Sequence, residues 1–198
     1  MYALVEDGSI TKIINNPRSM IIADVQYPAK IFQLWSSSEL KAIGIYEVIT
    51  DTSNLKDEKW YINTNESYSF ADDQVTRSWG TATPKEHADT LWTAQDETDG
   101  KGTEGEVATR GLKYNLIQIL KSQVANELAK TDWYITRNTE KSTAIPSAIS
   151  THRDAVRTKQ AEMETAITNA SNTPALETLY TYTKQEDGSV TRPLGELP

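Results

Sequence analysis

The sequence predicts an α+β fold: an antiparallel β-rich N-terminal half with one short helix, a long C-terminal helical hairpin and a short terminal β-hairpin. Three observations predict it. Short β-prone runs separated by turn residues come first, long runs of helical apolar periodicity follow, and a second Asp-Gly turn lies near the end. The predicted parts are a β-rich N-terminal domain over residues 1–84, an acidic, glycine-rich linker over 85–105, the helical hairpin over 106–172 and a hairpin tail over 173–198.

The first predicted element is a β-hairpin. Residues 2–5 and 10–14 are β-prone and flank an Asp7-Gly8 pair. Asp-Gly tolerates the positive φ values that a two-residue hairpin turn requires. Pro17 ends this hairpin, because proline has no N–H to donate to the ladder. A third strand is expected over residues 20–25.

A short capped helix is predicted over residues 36–44. A serine caps its start, Glu39 complements the helix dipole, and Gly44 suits the left-handed conformation at its end. Residues 45–50 then predict a strand. Three more strands are expected before Pro84, over residues 60–62, 67–70 and 74–79.

The pattern changes between residues 85 and 106. Residues 85–94 predict a short helix that carries Leu91 and Trp92. Residues 95–106 are acidic and contain three glycines, which argues against a continued helix. This composition favours a linker.

The rest of the chain is organised around residues 107–170. Two long apolar-periodic runs, separated by residues 131–137, predict two helices folded back on each other. In the second run the core positions fall within an arc of roughly 100° on a helical wheel, which indicates one narrow seam for one partner. These positions are Ile145, Ile149, His152, Val156, Lys159, Met163, Ala166, Ile167 and Ala170.

The first run has a wider apolar face. Its apolar residues spread over roughly half the circumference, so this helix is expected to pack against the second helix and against something else. They are Leu112, Leu116, Ile117, Ile119, Leu120, Val124 and Leu128. Pro146 suits the first turn of the second helix, and residues 172–174, Asn-Thr-Pro, are expected to stop it.

The tail repeats a stretch found at the front. Residues 186–192, Glu-Asp-Gly-Ser-Val-Thr-Arg, nearly copy residues 6–12, Glu-Asp-Gly-Ser-Ile-Thr-Lys. Two independent hairpin turns are favoured over a duplicated module. Either interpretation predicts a terminal hairpin, whose growth Pro193 and Pro198 limit.

Composition narrows the function classes. At 198 residues, 37 % hydrophobic and 24 % charged, the chain is typical of a globular protein. A net charge of −8 without a Lys/Arg cluster argues against a nucleic-acid partner. No apolar run approaches the ~18 residues of a membrane span, and the N terminus lacks a secretory pattern, so we expect a soluble, cytoplasmically made protein without a membrane partner. The absence of cysteine excludes disulfides and thiolate metal sites.

No catalytic motif is recognisable. The two histidines differ in setting: His87 lies in a polar stretch and is interpreted as a surface residue, whereas His152 lies on the seam and is interpreted as a partly buried residue with one hydrogen bond. Nucleophile elbow, phosphate-binding loop, dinucleotide fingerprint and zinc-protease patterns are absent. We therefore expect no enzymatic activity, no catalytic or metal-binding residue, and no cofactor.

The acidic stretch provides the alternative function, a small ligand- or calcium-binding module. Gln95, Glu97, Asp99, Gly100 and Glu106 fall at positions one, three, five, six and twelve of an EF-hand-like count. A glutamine replaces the opening aspartate of that loop. A solvated acidic loop is therefore favoured.

Protein partners remain as the main possibility. Trp133 and Tyr134 are large amphipathic anchors of the kind enriched at interfaces, although they would alternatively plug the open end of the hairpin. Arg153 and Arg157 lie one turn apart and require a carboxylate, which Asp154, Asp132 or Glu127 could supply in preference to a partner. The predicted partner-binding residues are Trp133, Tyr134, Arg153, Arg157, Leu116 and Leu120.

These segments resemble a known family. Asp132-Trp133, Ile145-Pro146 and residues 152–157, His-Arg-Asp-Ala-Val-Arg, are similar to the short helical domain of bacteriophage tail assembly chaperone proteins, with His152 where an aromatic residue is usual. Residues 1–5, 39–48 and 75–79 resemble the opening of small phage tail and tail-fibre-associated proteins.

The resemblance implies a phage origin and a place in the tail or in its assembly, and it supplies no catalytic residue. We therefore expect a non-catalytic protein that contacts other phage tail or tail-fibre proteins, and association between copies of the chain stays open. Two roles stay open: a structural component of the virion tail, or a chaperone in the host cytoplasm during assembly.

Overall fold

The computed structural model describes all residues, Met1–Pro198. It confirms the α+β class, with a β-rich front, long helices behind and a terminal hairpin. The chain divides into two compact units, Met1–Thr83 and Pro84–Pro198. None of the helices combines the length and apolarity that a membrane crossing requires.

The first unit contains nine strands and two short helices. In chain order they are β1 (Tyr2–Glu6), β2 (Ser9–Ile14), β3 (Met20–Ile22), β4 (Val25–Tyr27), α1 (Ile31–Leu34), α2 (Ser37–Ala42), β5 (Ile45–Thr50), β6 (Tyr61–Ile62), β7 (Ser67–Ala71), β8 (Gln74–Ser78) and, where the unit ends, β9 (Thr83–Pro84).

Five strands form the main sheet, in the order β2-β1-β5-β8-β7. The β1/β2, β1/β5 and β7/β8 pairs are antiparallel, as predicted, but β5 and β8 are parallel, with Val48 opposite Val75. Between β5 and β8 the chain reverses direction once before β7 and once after it. Two reversals restore the original direction, so β8 runs parallel to β5. Alternation along β1 buries Leu4 on one face of the sheet and Ala3 and Val5 on the other.

The predicted first hairpin is confirmed. Glu6 pairs with Ser9 around a turn in which Asp7 and Gly8 both have positive φ. The single strand expected over residues 20–25 is wrong, because Ala23 and Asp24 adopt left-handed φ and fold this run into the β3–β4 hairpin. An alanine at such a position gives no turn signal, since it usually avoids positive φ.

The capped helix is confirmed as α2. Ser36 accepts a hydrogen bond from the Glu39 backbone N–H, and Glu39 Oε2 accepts one from the Ser36 N–H at 2.7 Å, which completes a capping box. Gly44 ends this segment at φ +81°, where an added Cβ would lie 2.6 Å from the Val5 carbonyl oxygen. The sequence predicts one short helix in this half, but the structure has two, because the one-turn helix α1 precedes α2.

The second unit contains the long helices. Its elements are β10 (Thr90–Leu91), α3 (Ala94–Thr98), β11 (Val107–Thr109), α4 (Leu112–Ala129), α5 (Asp132–Lys141), α6 (Ser147–Asn169), α7 (Thr173–Tyr180), β12 (Thr183–Lys184) and β13 (Val190–Thr191).

The segment predicted to be a linker contains regular secondary structure. The helix expected over residues 85–94 is wrong, since β10 lies there and pairs with β11. A helix instead follows at α3, where Thr93 and Asp96 form a capping box. The acidic composition of residues 95–106 obscured this signal. Gly102 allows the Trp92 indole to pack closely, because an added Cβ would lie 2.3 Å from its Nε1.

The predicted helical hairpin is confirmed as α4 and α6, which pack against each other. Four positions of the predicted seam are buried, as expected: Val156, Met163, Ile167 and Ala170. The buried residues of α4 are Leu116, Leu120 and Val124. An amphipathic face of this kind is stabilised by tertiary packing more than by helix propensity.

Two further helices replace expected breaks. Residues 131–137 do not form a simple bend, because α5 begins at Asp132 and continues to Lys141. Residues 172–174 do stop α6, but they also start α7, with Asn172 accepting a hydrogen bond from the Ala175 N–H and Pro174 in the first turn. Proline at that position is compatible with a helix start as well as a helix stop.

The terminal hairpin is confirmed, but its turn differs from that of the first hairpin. Gln185 donates its backbone N–H to the Ser189 carbonyl at 2.8 Å, and Gly188, at φ +85°, donates to Gln185. The loop therefore has three residues, whereas the similar sequence at residues 6–12 closes a two-residue loop. Two unlike turns support independent hairpins.

Candidate partner-binding surface

A half-exposed tryptophan lies near the start of α5, in the second unit. Trp133 is 52 % exposed, and its ring centroid is 3.9 Å from that of Tyr134, with 34° between the ring planes. The Arg137 guanidinium carbon lies 4.7 Å from the Trp133 centroid and 5.3 Å from that of Tyr134. We call these three residues the aromatic surface. The exposure of the Trp133 side chain argues against its interpretation as a plug.

Helical geometry explains the arrangement. Arg137 follows Trp133 by four residues and Tyr134 by three, the two spacings that bring side chains together on a helix. Sequence analysis missed Arg137 because it treated this stretch as a bend. The guanidinium lies over two π faces, a contact worth roughly 0.5–1 kcal/mol for each exposed pair.

A buried arginine fixes the start of α5. Arg153 on α6 is 8 % exposed and donates to the Leu128 carbonyl and to Thr131 Oγ1, both at 2.7 Å, and it pairs with Asp132 Oδ1 at 2.9 Å. These acceptors belong to the end of α4, the connection and the first residue of α5. Arg153 therefore positions the helix that carries the aromatic surface.

The predicted role of Arg153 as a partner contact is wrong, since its guanidinium is buried and its hydrogen bonds are internal. Asp132, one of the three carboxylates expected to answer it, does so. Arg157 is exposed and lies 3.4 Å from Asp154, so it remains accessible to a partner. The third expected carboxylate, Glu127, pairs instead with Lys130 and with His152 Nε2, the latter at 3.3 Å. The Lys130 hydrogen bond is the main cause that lowers the pKa of Glu127.

Leu116 and Leu120 are also wrong as partner contacts. They are 4 % and 2 % exposed, because this part of the α4 face is buried inside the helical unit. Of the predicted wide apolar face, Ile119 is exposed, and Tyr114, which lies on the same helix beside Arg110, is exposed as well. The wide apolar stripe of α4 therefore suggested more accessible surface than the structure has.

The acidic stretch has internal partners. Gln95 Nε2 donates to Asp99 Oδ1 at 2.8 Å, and Asp99 Oδ2 lies 3.1 Å from Lys101 Nζ. Glu97 Oε2 accepts from the Glu104 N–H at 3.2 Å. The Thr93 hydroxyl, then Lys101, lower the pKa of Asp96 to about 2. No group of three or more acidic, histidine or cysteine side chains is placed to hold a metal ion.

We expect calcium titration to leave the fluorescence of Trp92 unchanged up to about 1 mM, the weakest range of protein calcium sites. The physical reason is that these carboxylates already bind an ammonium, an amide or backbone groups. Trp92→Phe serves as the matched control that assigns the signal, since the chain has five tryptophans. A saturable change lost in Trp92→Phe would contradict this expectation.

Comparison of the chain with protein-family models gave no match, and neither curated proteins nor solved structures gave one.

Proposed function

We propose that the chain is a non-catalytic bacteriophage tail protein that works through protein–protein contacts during tail or tail-fibre assembly. The aromatic surface of Trp133, Tyr134 and Arg137 is the proposed contact. The observation that carries the proposal is the half-exposed indole, which is stacked on one aromatic ring, lies close to an arginine and sits on a helix that a buried arginine fixes in place.

The chemistry of the aromatic surface supports this role. Tryptophan, tyrosine and arginine dominate interface hot spots, because they bury large areas and still offer hydrogen bonds. Stacked rings also lose little conformational freedom on binding, since they are already ordered. Arg157 and Ile119 provide further accessible groups in the same unit.

The contacts also connect the segments that resemble phage tail assembly chaperones. Asp132 precedes Trp133 in one segment and Arg153 lies in the other, and the two side chains pair at 2.9 Å. Asp132 and Arg153 thus hold the start of α5 in place. In this proposal, α5 in turn presents Trp133 to the partner.

Trp133→Ala is expected to weaken association with the tail partner at least about 30-fold while changing the stability of the chain little, because truncating a hot-spot tryptophan costs about 2 kcal/mol or more of binding. The measurement is co-purification of the tagged chain with the co-expressed tail proteins of its phage, followed by a binding titration of the complex.

Tyr114→Ala is the matched control. Tyr114 is also an exposed ring under an arginine, with the Arg110 guanidinium carbon 4.2 Å from its centroid, and it lies on α4 of the same unit. We expect this variant to bind like the wild type. Equal losses in the two variants, or none in Trp133→Ala, would contradict the proposed contact.

Mass spectrometry of purified virions distinguishes the two tail roles. A structural component is present at stoichiometric level in the particle, whereas a chaperone is absent from it. Size analysis of the isolated chain tests whether copies of it also associate with each other.

A further inference from the structure

A second surface, in the first unit, lies beside the edge strand β2. A groove of about 490 Å³ is lined by Lys12, Ile14, Arg18, Ser19, Met20, Ile21 and Gln26. A smaller cavity of about 230 Å³ shares Lys12, Ile14 and Arg18 with it and is completed by Ile13, Asn15 and Asn16. We call the two together the basic groove. Its residues come from β2, from β3 and β4, and from the connection after β2.

The basic groove contrasts with the charge of the whole chain. The chain has a net charge of −8, yet no carboxylate lines either cavity. Lys12 and Arg18 are exposed and make no ion pair, whereas Lys41 and Arg77 of the same unit are paired with Asp73 and Glu66. The groove therefore has positive charge without an internal counter-ion.

The groove also has unpaired backbone. β2 ends the five-stranded sheet, where β7 from the other end of the sheet comes close to part of it without pairing, and β3 and β4 form a separate two-stranded sheet. Between Ser9 and Tyr27 no backbone group hydrogen-bonds outside these ladders. A strand edge of this kind can accept an added strand through main-chain hydrogen bonds.

Apolar side chains complete the surface. Ile21 is 67 % exposed and Val25 is 51 % exposed, both on the β3–β4 hairpin. Buried Ile14 lines the groove on the β2 side, two residues from Lys12 and therefore on the same strand face. An extended segment that alternates acidic and apolar side chains matches this combination, because alternate residues of a strand point to opposite sides.

From these observations we propose that the basic groove binds an extended acidic segment of a partner protein, which adds as a strand to the unpaired backbone of β2 that faces the groove and places carboxylates at Lys12 and Arg18. Charge selects the occupant. A lysine on an edge strand discourages pairing with neutral or basic strands, whereas an acidic strand gains an opposite-charge neighbour. This surface is in a different unit from the aromatic surface and does not depend on it.

The probe is an acetylated, amidated octapeptide of alternating Glu and Val, titrated into the ¹⁵N-labelled full chain. We expect saturable amide shifts centred on residues 9–27, slower hydrogen exchange of the β2 amides, and affinity that falls as salt rises. The same peptide with Lys in place of Glu is expected not to bind. Absence of saturable shifts with the Glu peptide up to about 1 mM would overturn the proposal, since even weak specific binding is detectable there.

Charge reversal locates the site. Lys12→Glu and Arg18→Glu are each expected to weaken binding of the Glu peptide at least about 5-fold, the effect of about 1 kcal/mol. Lys30→Glu is the matched control, because Lys30 is an exposed cation of the same unit that lines neither cavity. Equal weakening in all three variants would mean non-specific attraction and would overturn the proposal.

Trp133→Ala separates this proposal from the one above. We expect it to bind the Glu peptide like the wild type. A loss of peptide binding in this variant would contradict the separate site.

Discussion

Replacing Val156 with aspartate is expected to unfold the helical part of the second unit. Val156 is fully buried on the seam of α6, which packs against α4. An aspartate there buries a carboxyl group among apolar neighbours, and neither helix offers a free backbone donor at that depth, because helix interiors use their N–H groups internally. We expect a loss of about 4 kcal/mol or more, among the largest effects of single substitutions. Urea titration followed by circular dichroism measures it.

Thr158→Asp is the control for this substitution. Thr158 lies two residues further along α6 and is exposed. Threonine and aspartate have similar helix propensities, so the control should change stability by less than about 0.5 kcal/mol. A Val156→Asp variant that unfolds at the wild-type urea concentration would refute the assignment of this helix face to the core.

Local signals explain why much of the fold was predictable. The α6 seam follows from side chains at helical spacing, and α2 follows from Ser36, Glu39 and Gly44, whose roles lie within one short segment. The Asp7-Gly8 turn is likewise a two-residue signal. In each case the residues that determine the structure are near neighbours in the sequence.

Other features depend on distant neighbours or on weak local preferences. Nothing in β5 or β8 alone indicates that they are adjacent and parallel, because strand pairing is set by the rest of the sheet. α5 starts without a side-chain cap on Thr131, and its position depends on Arg153, which lies 22 residues away. The turn at Ala23 requires a conformation that alanine rarely adopts.

The candidate site was predictable only where side-chain chemistry alone identifies a residue. Trp133 and Tyr134 were identified from side-chain chemistry, which needs no fold. Leu116 and Leu120 were misassigned, because a wide apolar stripe looks the same whether its cover is the core or a partner. Arg137 required knowledge of α5, since only a helix brings it to Trp133.

Arg153→Ala is expected to destabilise the second unit by about 2–3 kcal/mol. Removing one partner of a fully buried ion pair costs about 3–5 kcal/mol. The loss expected here is smaller because the Asp132 side chain is 60 % exposed. The Thr131 hydroxyl oxygen also loses the guanidinium as a donor, whereas the Leu128 carbonyl keeps the Thr131 hydroxyl and N–H as donors. Urea titration measures the loss, and the tail-partner titration should show weaker binding, because α5 is no longer held at its start.

Arg153→Lys tests positioning beyond charge. Nη1 of Arg153 makes all three contacts. A lysine keeps the charge, but its ammonium sits on a flexible stem and is not held in place by a planar guanidinium, so it should recover stability and partner binding in part. Arg157→Ala, one turn along α6, is the exposed control, and its 3.4 Å pair with Asp154 should contribute less than about 0.5 kcal/mol. Should Arg153→Ala and Arg157→Ala have equal stability, the buried arginine would not be what holds α5, and the ordered presentation of Trp133 would need another cause.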